Sequence, residues 1–127
     1  MRTPARILIV DDNPTNVDIL SARLESEGYE IVTAGDGEQA LEAARAQLPD
    51  LILLDVMMPG MDGPTTLQQL RTLPHMATVP VVFMTAKVMP DEIEHYKTLG
   101  ALDVIRKPFN PMTLAATLNT IWEKCGV

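Results

Sequence analysis

The chain has one cysteine, Cys125, near its C-terminal end. It can form no internal disulfide, which suits a reducing compartment, and the thiol is read as a bystander. Basic residues are also scarce, with 10 Lys and Arg against 17 Asp and Glu for a net charge of −7. No basic run occurs, so nucleic-acid contact by this segment is not expected. Long apolar runs are missing too. The N-terminal MRTPAR leads into Ile7–Val10 and then two aspartates, too short a run for a signal peptide or a membrane span. A cytoplasmic location without a membrane partner is expected. His and Cys nowhere cluster at zinc spacing, and His75 and His95 read as isolated surface residues. Internal repeats, linkers and low-complexity tracts are absent, so a second domain is not expected.

What is present is an ordinary globular composition, 46% apolar and 21% charged over 127 residues. That length buries a core without disulfides or a structural metal. One domain is expected over 1–127, with its core at about 5–124. The organising stretch is LILLDVMMPGMDG, Leu51–Gly63. Its four apolar residues suit a strand buried on both faces of a parallel sheet. Asp55 is thereby delivered to the sheet rim where ligands bind in open α/β folds.

Strand and helix alternate along the rest of the chain. Strands are expected at Ile7–Val10, Tyr29–Ala34, Val79–Met84 and Leu102–Ile105. Helices are expected after Asn13 or Asp12 as cap with Pro14 in the first turn, over Glu38–Gln47, from Pro64 to Pro74, from Pro90 to Gly100, and over Pro111–Lys124. Val17, Leu20 and Leu24 form the inward stripe of the first helix. The corresponding residues are Ala40, Leu41 and Ala44 in the second, Leu67, Leu70 and Leu73 in the third, and Ile93, Tyr96 and Leu99 in the fourth. In the last they are Leu114, Leu118, Ile121 and Trp122. Five alternations, each with a right-handed crossover, predict an α/β fold: a doubly wound parallel sheet with helices on both faces.

The strand ends then carry the chemistry. Asp11 and Asp12 leave the first strand, Asp55 the third, Thr85 the fourth and Lys107 the fifth. Clustered carboxylates repel, and one takes up a proton unless a cation relieves the field. Carboxylates, a carbonyl and retained waters are what Mg²⁺ prefers. A metal-loaded aspartate can act as a nucleophile toward phosphorus. Phosphoryl transfer needs an in-line nucleophile, a metal and donors for the remaining charge. Asp55 supplies the first, Lys107 a mobile cation and Thr85 a hydroxyl.

These residues resemble the receiver domain of bacterial two-component response regulators over essentially the whole chain. The matching motifs are ILIVDD (Ile7–Asp12), LLDVMMPGMDG (Leu53–Gly63), MTA (Met84–Ala86), LGA (Leu99–Ala101) and KPF (Lys107–Phe109). The resemblance implies a flavodoxin-like (βα)₅ fold with strand order 2-1-3-4-5. Asp55 resembles the phospho-accepting aspartate of an aspartyl-phosphate phosphoprotein. Asp12 resembles the direct metal ligand, Asp11 the one acting through water, and the Met57 carbonyl the main-chain ligand, for Mg²⁺ with Mn²⁺ as a substitute. Thr85, Ala86 and Lys107 resemble the phosphate-binding and switch group.

The implied donor is a phosphohistidine of a sensor histidine kinase or histidine phosphotransfer protein. Asn13, Pro14, Val17 and Pro108 are its expected docking positions. The implied output face comprises the fourth helix, fifth strand and fifth helix, and contacts a downstream protein. The module is expected to be a signalling domain, not an enzyme, that assists its own phosphorylation and dephosphorylation. It is free-standing or part of a larger regulator or hybrid kinase, and no output domain follows within the chain.

The family pattern is broken at several places. Val104 stands where an aromatic usually switches, and a β-branched side chain is stiff about its first torsion. Pro64 replaces a bulky apolar residue. Pro111–Trp122 carries no Arg or Lys, so the charged dimer of winged-helix regulators is not expected; a monomer or a weak phosphorylation-dependent dimer is. Met57 and Lys87 flank the path of hydrolytic water and orient it poorly, which predicts a long-lived aspartyl phosphate. One alternative is a small Mg²⁺-dependent aspartyl-phosphate phosphatase; such enzymes have a strand-terminal Asp-x-Asp with a second acid two residues after the nucleophile, and Met57 in that place argues against it. Another is a flavodoxin-like module, whose flavin phosphate Asp11 and Asp12 would repel.

Overall fold

The computed structural model describes residues 5–58, 60–74, 76–86, 89–107 and 111–124, the last segment without the side chains of 111–115 and 124. Pro59, His75, Cys125 and the Leu114 side chain lie outside the described residues. The elements are β1 (Arg6–Val10), α1 (Pro14–Ser26), β2 (Glu30–Ala34), α2 (Gly37–Ala46), β3 (Leu51–Asp55), α3 (Gly63–Leu70), β4 (Val81–Thr85), α4 (Pro90–Thr98), β5 (Asp103–Arg106) and α5 (Pro111–Lys124). The sheet is parallel, as the alternation predicts, and in the order β2-β1-β3-β4-β5 that the resemblance implies.

The period of two in β-strands splits the core into two layers. Leu8, Val10, Ile52, Leu54, Val81 and Phe83 face one side and pack with Ala40, Ala44, Leu67 and Leu70 of α2 and α3. Ile7, Ile9, Leu51, Leu53, Val82 and Met84 face the other and pack with Leu20, Leu24, Leu118 and Ile121 of α1 and α5. All of β3 and β4 is buried, which explains their nearly unbroken apolar sequence. At the edge, β2 is only half-covered. The Trp122 indole donates to the Tyr29 hydroxyl at 2.7 Å, joining α5 to the residue before β2.

Local chemistry sets the helix starts. The Asn13 side chain accepts from the Thr15 and Asn16 amides, Asp36 from Gln39, and Asp62 from Thr65. Each satisfies N–H groups that the first helical turn leaves open. Pro14, Pro64 and Pro90 sit in first turns, where the missing N–H is harmless.

Several boundaries differ from the sequence expectation by a residue, among them β1 from Arg6, β2 from Glu30, α2 over Gly37–Ala46 and β4 ending at Thr85, and three more have a physical cause. β4 begins at Val81, not Val79, because Pro80 has no N–H; its carbonyl still accepts from the Ile52 amide at 3.0 Å. α3 ends at Leu70, four residues before Pro74, as the Thr72 and Leu73 amides tighten to partners three residues back. β5 runs Asp103–Arg106, one residue later than expected, with the Leu102 amide already bonded to Val81.

Candidate functional site

Register alone brings the acids together. Val10 pairs with Leu54, so the next residues on these parallel strands, Asp11 and Asp55, emerge side by side. The Asp11 amide bonds Ala34 on the other flank at 3.1 Å. Asp55 pairs with Met84, and the Val56 amide continues that ladder to the Met84 carbonyl at 3.0 Å. Thr85 pairs with Arg106, and the Lys107 amide bonds the Thr85 carbonyl at 2.9 Å. Asp11, Asp12, Asp55, Thr85 and Lys107 are thus carried to one rim by the ends of β1, β3, β4 and β5.

Carboxylate oxygens of Asp11, Asp12 and Asp55 lie within 4.8 Å of one another. Asp11 is 1% exposed and Asp55 3%, whereas Asp12 opens to solvent. Lys107 Nζ lies 2.9 Å from Asp11 Oδ2 and 3.0 Å from Asp55 Oδ1, bridging the two buried acids. Asp11 is held by the Asn13 amide at 2.9 Å and approached by Asn16 Nδ2 at 3.5 Å. The Met57 amide donates to Asp55 Oδ1 at 3.3 Å.

One lysine cannot balance three carboxylates. Burial above all, reinforced by the Asp11 charge, pushes the Asp55 carboxyl up to about 6 despite the lowering pull of Lys107. Burial also opposes the Lys107 charge, yet its bonds to Asp11 and Asp55 and their charges hold it above the ordinary lysine value. The cluster therefore has surplus negative charge, hard oxygen donors close together and one solvent-facing side. That is a set a hard divalent cation fits, and one without the nitrogen or sulfur ligands zinc favours.

Around this centre the structure places the remaining expected residues. Thr85 is buried at the end of β4, and Ala86 beside it is exposed. Met57 is 75% exposed, on the loop leaving Asp55. Val104 is half-buried and packs on the Phe83 layer. Pro14 and Val17 line a cavity of about 300 Å³ with Asp11, Asp12, Asp18, Thr33, Ala34 and Gly35. Lys87, Pro108 and Phe109 lie outside the described residues.

Sequence reasoning missed three supports. Gly63 touches the back of the site: a Cβ there would meet the Asp55 carbonyl oxygen at 2.6 Å and Val56 Cα at 2.8 Å. The MDG motif contained it, but only three-dimensional proximity shows why glycine is required. Arg71 Nη1 donates to the Met76 and Val79 carbonyls at 2.8 and 2.6 Å, and Nη2 to Gly100 at 3.3 Å. It ties the segment before β4 to the α4–β5 turn, with no signal in local spacing. Asn16 stands one helical turn into α1, where polarity reads as ordinary surface.

This fold and this rim of acids define a class, and comparison with known proteins gives the same one. The response regulator receiver domain family matches residues 7–119, and the chain belongs to it. Response regulator PleD of Caulobacter vibrioides is 46% identical over 118 residues, covering 92% of this chain but 26% of PleD. Protein PilH of Pseudomonas aeruginosa is 37% identical over 117 residues, covering 92% of this chain and 97% of PilH. The solved chemotaxis response regulator CheY4 of Vibrio cholerae superposes with a TM-score of 0.87 at 35% identity, over 92% of this chain and 98% of that one. The chain is thus a signalling receiver domain of two-component response regulators. It spans only about a quarter to half the length of several curated relatives. Among the described residues, no helix is long and apolar enough to cross a membrane.

Proposed function

We propose that the chain is one receiver domain over 1–127, core about 5–124, that accepts a phosphoryl group on Asp55 from a phosphohistidine. The donor is a histidine kinase or histidine phosphotransfer protein. The observation that carries this reading is Lys107 bridging Asp11 and Asp55 at 2.9 and 3.0 Å beside the solvent-facing Asp12. Asp11, Asp12, Asp55 and the Met57 carbonyl would hold Mg²⁺, or Mn²⁺ in its place. When bound, the ion supplies neutralisation of the negative phosphoryl oxygens.

The chain's own residues do the rest. Asp55 presents an oxygen at the end of a rigid, fully buried strand, which lowers the orientational cost of attack. Its bond to phosphorus forms as the phosphorus–nitrogen bond of the donor breaks, and the imidazole leaves with the electron pair. Lys107, already tethered between the acids, pairs with a phosphoryl oxygen, and the Thr85 hydroxyl donates to another with the Ala86 backbone beside it. Met57 places a thioether where a polar side chain would steer water, so the aspartyl phosphate is long-lived. Asn13, Pro14 and Val17 border the acidic opening and receive the donor, together with Pro108. The added charge at Asp55 shifts α4, β5 and α5 toward a downstream protein partner.

In this reading the domain is a cytoplasmic signalling module and not a turnover enzyme, acting as a monomer or weak phosphorylation-dependent dimer without nucleic-acid contact of its own. Incubation with a radiolabelled histidine phosphotransfer protein and Mg²⁺ tests it. Label should move to the chain in a base-labile form, and Asp55→Asn should take none. Label retained by that variant would refute the assignment.

A further inference from the structure

α4 is weakly anchored. None of its residues is fully buried, and its N-cap, Met89, makes no side-chain capping bond. What holds its middle is Tyr96, whose ring meets Phe83 edge-on, centroids 5.1 Å apart at 74°. Phe83 is fully buried in β4, two residues before Thr85, and pairs across the sheet with Val104. Phe83, Val104 and Tyr96 thus share one layer of the core, where Val104 has no ring to move. Burial raises the Tyr96 hydroxyl, as do the charges of Glu92 and of Asp62. Asp62 caps α3 on the loop that leaves Asp55. The ring therefore touches β4 and belongs to α4.

We propose that Tyr96 is the positioning residue that couples β4 to α4, supplying from the helix the aromatic contact that Val104 does not supply from β5. The inference rests on the reading of Asp55 as phosphoryl acceptor and deepens it by naming the residue that transmits the change. Movement of Thr85 toward a phosphoryl group displaces the end of β4. Phe83 passes that displacement to the ring, and the ring carries α4, none of whose residues is fully buried.

The test uses the full chain with Mg²⁺ and acetyl phosphate, reading phosphoryl stoichiometry by intact mass and the α4 response by amide chemical shifts over Pro90–Thr98. Tyr96→Leu keeps an apolar side chain on Phe83 but loses the ring. It should be phosphorylated to wild-type stoichiometry while the α4 response falls roughly threefold or more, the equilibrium equivalent of losing an edge-to-face pair. Tyr96→Phe should keep the full response. Adding Val104→Tyr to Tyr96→Leu should restore part of it. A wild-type α4 response in Tyr96→Leu overturns the proposal, as does a loss in Tyr96→Phe equal to that in Tyr96→Leu. Wild-type chain that takes no phosphoryl group removes the functional reading and this inference with it, whereas labelled variants with unaltered α4 remove the inference alone.

Discussion

Asp55 is the residue where the structure states its own tension. Its carboxyl titrates at about 6 in the folded metal-free chain against an ordinary 3.8. A raised carboxyl contributes stability that is present below its ordinary value and lost as pH rises through the folded one. Above about pH 6 the ionised group therefore works against the fold. Asp55→Asn should stabilise metal-free protein at pH 8 by on the order of 1–3 kcal/mol, with the gain vanishing near pH 3.5. Urea unfolding at both values checks this, and an equal gain at both would contradict it. Lys107→Met removes the cation between the acids, so the Asp55 midpoint should move further up, as read by carboxyl ¹³C shifts. Met57→Asn should shorten the phosphoryl lifetime several-fold, measured by decay of base-labile label; an unchanged lifetime would remove Met57 from the account.

The elements explain what could be read in advance. The short apolar run Leu51–Leu54 with turn residues behind it suits a strand covered on both faces, which carries Asp55 to the rim, and the structure has it so. Asp11 and Asp12 followed from the same logic in β1. The Asp11–Lys107 and Asp55–Lys107 pairs were expected as a group but not as distances, since register fixes those. Arg71, Gly63 and the ring pair of Phe83 with Tyr96 were not legible. Each acts across a turn or between elements rather than along one face, and no helical or strand period marks such contacts. Helix and strand ends drifted where hydrogen bonding overrode pattern, as at Pro80 and after Leu70. Gly63→Ala tests one of these hidden supports. Its new Cβ would press on the Asp55 carbonyl, so stability should fall by about 1–3 kcal/mol and phosphorylation should slow. Paired urea and labelling measurements check both, and an unperturbed variant would show that the loop yields freely.

On the scale of the whole molecule, two apolar layers hold a five-stranded sheet rigid while one rim gathers unbalanced charge. The register of β1 against β3 holds Asp11 and Asp55 side by side at neighbouring strand ends, bridged by Lys107. In the proposed reading, a hard cation and then a phosphoryl group relieve that charge, and α4, none of whose residues is fully buried, is where the change surfaces. A catalytic phosphatase would need a second acid where Met57 stands, and a flavodoxin-like site would need an anion-friendly loop in place of Asp11 and Asp12. Acetyl phosphate distinguishes all three, with wild type and Asp55→Asn compared by intact mass, with and without Mg²⁺. One phosphoryl group per wild-type chain, dependent on Mg²⁺ and absent from Asp55→Asn, is the predicted result. Continuous turnover of acetyl phosphate without a retained adduct, or equal labelling of both proteins, would contradict it.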